Sequence, residues 1–526
     1  MENKKTKIIS IVAIVALALT VVTATYAYFQ AQTGEGSQTD IKINANTVDT
    51  FTFATGNPIA FTLDQDSFAS GKGNQSGSTF ASALLTANNK TNTATEHYYL
   101  YLNISDNTFT YSINESTPEI IMTVTDSGGN EVTDISTLNH VIVTGANNTQ
   151  VSGYDITNKN GLITLFNNRE ITTTSSKEEK WNIKVTFVNY DASQNANAGK
   201  SMSAKVMIQK EIIPQVVSDV CESGTNLATC IKTLANKSAS SLTKIYHHDA
   251  NLTNGAGDNS YRYAGASENV DNFVCFGTNT STCPTDNLYR IIGVFGDQVK
   301  LIKYDYANSN LLGTDGDYNS TNTYSKSSYS TYKGELTTIN RYSWNSSTKK
   351  NTWSESNLNK VNLNKNFITK IGADWAAKIA ETTWKVGGNT WANIGVQPAK
   401  TAYQNEIVNP VTTNTTDNKT EYTAKIGLMY VSDYGFAAAP SAWTANLNTY
   451  NGEAIKNVNW MYMGLNEWTI SRYAGISDRA FGVYSDGSVS RYGVSDYVAV
   501  RPSFNLESAI TYVSGSGSAN DPILIN

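Results

Sequence analysis

The stretch 180-KWNIKVTFVNY-190 alternates apolar and polar side chains along its length. Because successive side chains on a β-strand point to opposite faces, this alternation predicts a strand with one buried and one solvated face. The buried face would carry Trp181, Ile183, Val185 and Phe187. The segments 97-HYYLYLNI-104 and 201-SMSAKVMIQ-209 repeat the pattern, with turn residues between them. We therefore predict an antiparallel β-sandwich over residues 30–213.

The composition of the 526-residue chain favours β structure and argues against a nucleic-acid partner. Charged residues make up only 16%, and the chain is rich in Thr and in Tyr, which favour pleated sheets. The formal net charge is −6 and no basic run follows the N-terminus, so nothing tracks a phosphate backbone. At roughly 100–200 residues per domain, the length predicts two to four domains.

The N-terminus has the pattern of an export signal. Lysines within the first seven residues precede 22 residues without charge, from Ile8 to Phe29. This arrangement keeps the lysines in the cytoplasm and places the following chain outside it. Small residues up to Ala27 suit signal-peptide cleavage, whereas the length suits a retained transmembrane anchor, so both outcomes stay open for residues 1–29. We expect the protein at the extracellular face of the cell membrane or secreted.

The junction after this segment resembles a known family. The motif 23-TATYAYFQAQ-32, followed by 41-IKINANTVDTFTF-53, is similar to the camelysin/TasA-like surface and matrix proteins of Gram-positive bacteria. The resemblance covers roughly residues 1–210 and implies an export segment followed by a jelly-roll-like sandwich. Some members are described as metalloproteases, but this chain has no HExxH motif, and His97 and His140 stand alone. We therefore expect no protease activity.

The four cysteines fall into two local pairs, Cys221 with Cys230 and Cys275 with Cys283. Each pair has the spacing to close a small surface loop, and such disulfides form in an oxidising compartment. Neither pair has the CxxC spacing of a zinc site. We predict two disulfides, with free thiols as the alternative.

Beyond the sandwich, the chain divides into a linker at 214–243 and a second domain at 244–526. The linker is predicted to contain a short helix from Leu227 to Ala235. In the second domain, 288-LYRIIGVFGDQVKLIKYD-305 predicts a hairpin that turns at Gly296-Asp297.

Three further segments of the second domain carry weaker signals. The apolar spacing of 366-NFITKIGADWAAKIAETTW-384 predicts one helix. The stretch 425-KIGLMYVSDYGFAA-438 predicts a buried strand that runs into a loop. Residues 305–356 are polar without a period, which predicts a long surface excursion.

Several phrases of this half resemble a domain of unassigned function in exported proteins of gut Gram-positive bacteria. They include 272-NFVCFGTNTSTCPTDNLYRIIGVFG-296, 459-NWMYMGLNEWTISR-472 and 498-VAVRPSFNLESAITYVSGSGSANDP-522. The order of hairpin, helix, long loops and late hairpin is also similar to the C-type-lectin-like fold. The complete prediction is a multidomain chain: an N-terminal helix, an antiparallel jelly-roll-like β-sandwich and an α+β C-type-lectin-like domain.

No set of residues predicts a catalytic site. Formylglycine-generating enzymes, which share the C-type-lectin-like fold, need a late cysteine pair for copper, and no cysteine follows Cys283. A serine nucleophile would need a histidine base, and no histidine follows His248. Carboxylate pairs are the remaining route to glycosidase chemistry, although solvated or capping roles are expected for the acids present. These acids are Asp374, Glu381, Glu406, Asp433 and Glu467.

The motifs that come nearest to a metal site are also interpreted as solvated. His247 and His248 are adjacent, so on a strand they would point to opposite faces and could not chelate one ion together. The motif 314-TDGDYN-319 is spaced like a calcium loop, but Ser320 takes the place of the required glycine. The segment 396-VQPA-399 lacks the acid of calcium-dependent lectins. We expect no metal and no cofactor.

The strongest candidate for a functional surface is the late stretch 479-RAFGVYSDGSVSRYGVSDYVAVRPSFNL-506. With Asp486-Gly487 as a two-residue turn, Phe481 pairs with Tyr492. Neither face of this hairpin is cleanly apolar, and aromatic rings with polar tips suit recognition of sugars or proteins. The predicted ligand-binding residues are Tyr473, Tyr484, Asp486, Arg491, Tyr492 and Tyr497.

Together these features predict an exported, non-catalytic protein for recognition or adhesion. The sandwich would act as a stalk, and the second domain would bind a cell-surface glycan or a protein ligand. The N-terminal segment would contact the membrane. The alternatives are a structural matrix or fibre subunit and a glycan-active hydrolase.

Overall fold

The computed structural model describes residues 49–63, 73–88, 92–135, 137–280, 282–410 and 419–526. These residues belong to two compact units whose boundary falls between Ile212 and Ile213. The predicted export segment, residues 1–29, lies outside the described residues. Within the described ranges, no helix is long and apolar enough to cross a bilayer.

The first unit consists of two antiparallel sheets around one apolar core. Its strands are β1 (Thr50–Thr55), β2 (Ile59–Thr62), β3 (Gln75–Thr86), β4 (Ala94–Asn107), β5 (Ile120–Thr125), β6 (His140–Thr144), β7 (Gln150–Asp155), β8 (Gly161–Thr173), β9 (Ser176–Phe187) and β10 (Ser201–Gln209). One sheet has the order β1-β3-β9-β5-β7-β6, and the other has the order β2-β10-β4-β8. This arrangement agrees with the predicted antiparallel sandwich.

The alternating pattern of β9 is confirmed, because its four predicted core residues are buried. The indole nitrogen of Trp181 donates to the Tyr98 hydroxyl at 2.8 Å, and that hydroxyl donates to Glu179 at 2.7 Å. The Nε of Arg169 donates to the same carboxylate at 2.7 Å. Since Tyr98 and Arg169 lie on β4 and β8, this network joins the two sheets.

The second unit contains two larger sheets and further strand pairs. Its strands are β11 (Ile245–His247), β12 (Tyr261–Tyr263), β13 (Phe273–Cys275), β14 (Leu288–Phe295), β15 (Gln298–Lys303), β16 (Tyr318–Ser325), β17 (Thr338–Tyr342), β18 (Thr382–Lys385), β19 (Gly388–Asn389), β20 (Glu421–Ala424), β21 (Glu467–Tyr473), β22 (Arg479–Val483), β23 (Val489–Gly493), β24 (Ser503–Asn505), β25 (Tyr512–Ser514) and β26 (Leu524–Ile525). The larger sheets have the orders β11-β12-β14-β15-β24, with β13 beside β14, and β19-β21-β22-β23. The other strands pair as β16-β17, β18-β20 and β25-β26.

Short helices connect these strands. The α-helices are α1 (Leu227–Lys237), α2 (Ser240–Thr243), α3 (Ser309–Leu312), α4 (Ile368–Ile371), α5 (Ala373–Ala377), α6 (Ala399–Tyr403), α7 (Val431–Ala437) and α8 (Glu453–Lys456). A π-helical segment, Leu358–Phe367, leads into α4, and another, Gln404–Val408, follows α6. The second unit therefore combines helices with sheets.

The hairpin predicted at 288–305 is confirmed, whereas the single helix predicted at 366–384 is wrong. Phe295 pairs with Gln298 across the expected Gly296-Asp297 turn. The predicted helix is broken at Gly372, whose φ of +84° is left-handed and ends α4. Its last residues belong instead to β18.

Two other expectations for this unit are also wrong. Residues 425–438 contain no strand; residues 431–437 form the fully buried helix α7, because an apolar run enclosed on every side has no distinguishing period. Residues 305–356 are not a long surface excursion, since they form α3 and the β16-β17 pair and contribute buried side chains. Tyrosine rings supply the small core of that region, in which Tyr306, Tyr324 and Tyr332 are buried.

Both predicted disulfides are present in the second unit. The Cα atoms of Cys221 and Cys230 are 5.4 Å apart, and those of Cys275 and Cys283 are 5.7 Å apart. Both distances lie within the usual range for disulfides. The segment 214–243, predicted as a linker, contributes Leu227 and other residues of α1 to the core of the second unit.

A buried ion pair links the two larger sheets of the second unit. Arg501 donates to both oxygens of Glu467 at 2.7 and 2.8 Å, and both side chains are at most 2% exposed. Glu467 is the first residue of β21 and forms a β-bridge with Ala499, two residues before Arg501. Two residues after Arg501, β24 begins at Ser503 and pairs with β15 of the other sheet. The segment around Arg501 therefore connects one sheet to the other.

We expect Glu467→Gln to lower the free energy of unfolding by about 3–5 kcal/mol, because Arg501 would then lie buried without a charged partner. Denaturant unfolding followed by tryptophan fluorescence reports on the second unit, which holds eight of the nine tryptophans. Glu421→Gln is the control, since its exposed pair with Lys385 is worth less than about 1 kcal/mol. Equal losses in the two variants would contradict this role of the buried pair.

Candidate functional site

A groove of about 480 Å³ lies along the edge of the β19-β21-β22-β23 sheet. It is lined by Trp391, Ile476, Arg479, Tyr484, Ser490 and Arg491. Its volume falls within the range of about 300–1,000 Å³ that is usual for ligand sites. Most of the lining comes from the β22-β23 hairpin, and Trp391 arrives from the chain that follows β19.

The register of this hairpin differs by one residue from the prediction. Val483 pairs with Val489, and Phe481 pairs with Arg491 rather than with Tyr492. The reason is a three-residue loop in place of the expected two-residue turn, closed by the Tyr484 amide, which donates to the Ser488 carbonyl at 2.8 Å. The slip places Arg491 on the same face as Phe481.

The loop owes its shape to Asp486 and Gly487. Gly487 adopts a left-handed φ of +96°, as expected for the last residue of a type I turn with a G1 bulge. The Asp486 carboxylate accepts from the amide and the hydroxyl of Ser488 at 2.9 and 2.7 Å. Asp486 is therefore engaged by its own loop rather than directed into the groove.

The Arg491 guanidinium lies against two aromatic rings. It is 5.3 Å from the centre of Trp391 and 4.9 Å from the centre of Tyr473, both within the range of cation–π attraction. Phe481 packs beneath both rings, at 6.5 Å from Trp391 and 5.7 Å from Tyr473. Within the described part of the chain, no carboxylate pairs with Arg491. Its charge is therefore held in place but not neutralised.

Parallel pairing between β19 and β21 places Trp391 beside the hairpin. Gly388 pairs with Arg472, and Asn389 pairs with Tyr473. Arg472 is buried and its Nε donates to the Val386 carbonyl at 3.3 Å. Burial lowers the pKa of this guanidinium to about 10, so that it stays protonated at neutral pH.

Of the six predicted ligand-binding residues, Tyr484 and Arg491 line the groove and Tyr473 supports it. Tyr492 points to the interior, where its ring packs 5.6 Å from Trp468 and 4.5 Å from Tyr484. Burial raises the pKa of its hydroxyl well above the usual range. Tyr497 lies outside the groove lining, and its carbonyl accepts from Arg341 Nε at 2.6 Å.

Four lining residues were not predicted from the sequence: Trp391, Ile476, Arg479 and Ser490. Ser490 and Arg479 belong to the quoted hairpin, and a correct register would have placed them at this edge. Trp391 lies more than 80 positions earlier, and no local pattern indicates that β19 pairs with β21.

Three of the five candidate carboxylates are buried and occupied. Asp433 accepts from Lys300 at 2.5 Å and lies 3.5 Å from Arg262, while Glu467 holds Arg501. Glu406 accepts from the amides of α7 and from the Ser471 hydroxyl, and burial raises its pKa. The remaining two, Asp374 and Glu381, are exposed and lie outside the groove lining.

One member of the histidine pair, His248, and one acid of the polar motif at 314–319, Asp317, are buried. His248 is not solvated: it is buried against Phe436 and Trp443, and its Nδ1 accepts from the Ala256 amide at 3.0 Å. Burial lowers the pKa of His248 well below its usual value, so the ring is neutral. Asp317 is likewise buried and accepts from the Leu358 amide at 3.0 Å. Among the described residues, no group of three His, Cys, Asp or Glu is placed to hold a metal.

No protein-family model matches the chain, and no curated protein matches it. The chemistry of the groove is therefore judged from its own geometry. It offers a supported guanidinium, a second arginine at Arg479, ring faces and a serine hydroxyl. Groups of these kinds suit contact with polar or anionic molecules, and the lining contains no histidine, cysteine or carboxylate.

We expect Gly487→Ala to lower the free energy of unfolding by about 1–2 kcal/mol, because a side chain disfavours the left-handed backbone. The added Cβ would also lie 3.0 Å from the Tyr450 carbonyl oxygen. Gly487→Asn is the matched control: it adds the same Cβ, but asparagine tolerates this backbone conformation. Urea unfolding midpoints should rank wild type, Asn and then Ala, and identical midpoints for Ala and Asn would argue against backbone strain at this position.

Proposed function

We propose that this protein is an exported cell-surface recognition protein that binds its ligand in the groove along β23 without chemically changing it. The observation that carries the proposal is Arg491, whose charge is fixed against Trp391 and Tyr473 and lacks a carboxylate partner in the described chain. Holding a cation at a surface without a counter-charge contributes little to folding, whereas it pre-organises a binding site.

The surface location has separate support. Two disulfides of the second unit are typical of proteins that mature in an oxidising compartment. The uncharged segment at 8–29 is the proposed signal peptide or membrane anchor. The sandwich of the first unit would then act as the stalk. A jelly-roll-like topology for the first unit and a C-type-lectin-like topology for the second stay predictions.

The proposal is tested with the full chain on an immobilised panel of glycans and host or bacterial surface proteins. We expect Trp391→Ala combined with Tyr484→Ala to weaken each detected interaction roughly tenfold or more, since losing about 1.4 kcal/mol of ring contact has that effect. Tyr497→Ala is the control, because this tyrosine lies outside the groove lining. Binding that is unchanged in the double variant, or lost equally in the control, would place the recognition site elsewhere.

A further inference from the structure

Arg491 differs from the seven other arginines of the chain. Arg169, Arg262 and Arg501 hold carboxylates, and Arg479 lies 3.8 Å from Asp478. Arg290, Arg341 and Arg472 donate to side-chain or backbone oxygens. Arg491 makes neither kind of contact with the described residues, so its N–H groups are available to a ligand.

The two rings decide which part of Arg491 remains accessible. Trp391 and Tyr473 lie against the guanidinium, at 5.3 and 4.9 Å from its carbon. The N–H donors at the edge of the group form a planar fork that no acceptor among the described residues engages. That fork matches the two oxygens of a carboxylate.

The rest of the lining suits a sugar ring bearing that carboxylate. Ser490 contributes a hydroxyl without a partner in the described chain, and Tyr484 contributes a ring with a polar tip. Ile476, which is 47% exposed, adds an apolar wall. Sugars present hydroxyl groups at their edges and C–H groups on their faces, so they can satisfy all three surfaces at once.

An acidic peptide fits the same edge less well. At an edge strand such as β23, an extended peptide can bind by adding a further strand, through the backbone groups that point away from β22. Two of those groups are occupied: the Arg491 carbonyl accepts from the Tyr484 hydroxyl at 3.4 Å, and the Gly493 amide donates to Asp496 at 2.8 Å. Strand addition is therefore blocked at the position where the acidic side chain would have to meet Arg491.

We infer that the groove binds a carboxylated saccharide of the uronic-acid type, with its carboxylate on Arg491 and its ring between Trp391 and Tyr484. This inference rests on the proposed recognition function and specifies its ligand class. The chain carries a formal net charge of −6 and would repel polyanions in general. An acidic saccharide must therefore bind through the local contacts of the groove.

The test titrates the full chain with oligogalacturonate, hyaluronan oligosaccharides and sialyllactose. Its matched controls are oligogalacturonate with its carboxyl groups reduced to alcohols, dextran sulfate and oligoglutamate. We expect binding of oligogalacturonate or of hyaluronan oligosaccharides and a roughly 10- to 100-fold loss when the carboxyl groups are removed, the range for a charge-assisted hydrogen bond. Binding of sialyllactose alone would contradict the uronic-acid class, because sialic acid carries its carboxylate on the anomeric carbon.

Variants of Arg491 test whether this residue binds the carboxylate of the sugar. Arg491→Ala should reproduce the loss caused by carboxyl reduction, and Arg491→Lys should restore only part of it, because an ammonium keeps the charge without the fork. Lys237→Ala removes one charge from α1, away from the groove lining, and should leave affinity unchanged. Thermal melting confirms that each variant is folded.

The other outcomes overturn the inference. Failure to bind any carboxylated sugar would do so, as would equal affinity for the reduced oligomer or tighter binding of oligoglutamate or dextran sulfate. If a neutral glycan or a protein then binds through Trp391 and Tyr484, the proposed recognition function stands and only the ligand class is wrong. If Arg491→Ala binds oligogalacturonate as wild type does, the carboxylate lies elsewhere.

Discussion

Glu467 and Arg501 form a buried, bidentate ion pair between the two larger sheets of the second unit. The cost of removing both charges from water is offset by the two short hydrogen bonds between them. The backbone carbonyl of Met461 accepts a further hydrogen bond from Arg501 at 2.7 Å. The groove depends on this pair, since Glu467 begins β21 and β21 carries Tyr473 at its other end. A change at Glu467 would therefore alter the ring that supports Arg491 as well as the stability of the unit.

Other buried cations of the second unit are held by ion pairs or by neutral acceptors. Lys300 and Arg262 converge on Asp433, so α7 is tied to β12 and β15. Arg290 has no ion-pair partner among the residues that the structure describes, but it donates to Asn272 at 2.5 Å and lies 4.2 Å from the ring of Phe273. Arg491 differs from these residues because it is only partly buried and lines a surface groove. The interior cations Lys300, Arg262 and Arg290 have oxygen partners in the fold, whereas Arg491 is supported by rings and remains open to a ligand.

The sequence carries much of the fold but only part of the site. Strands with one buried face were predictable, because a period of two is visible in β4, β9 and β10. The cysteine pairs and the 288–305 hairpin were also predictable, because their signals lie within a few residues of one another in the sequence. Helix α7 was not, because burial on all sides removes the period that separates a helix from a strand. Within the site, Tyr484 and Arg491 were predicted because of their residue types. The strand register was not, because it depends on the backbone conformation of Gly487. Trp391 was not predicted either, because its position depends on the parallel pairing of β19 with the distant strand β21.

Hydrogen exchange of the full chain, measured with and without saturating oligogalacturonate, tests the central claim most directly. The account predicts slower amide exchange in two separate peptides, one covering residues 388–394 and one covering residues 473–493, because the chain segments that meet at the groove would be held by one ligand. The peptides of the first unit should be unchanged. Protection confined to the first unit, or binding without protection of both groove peptides, would contradict the account.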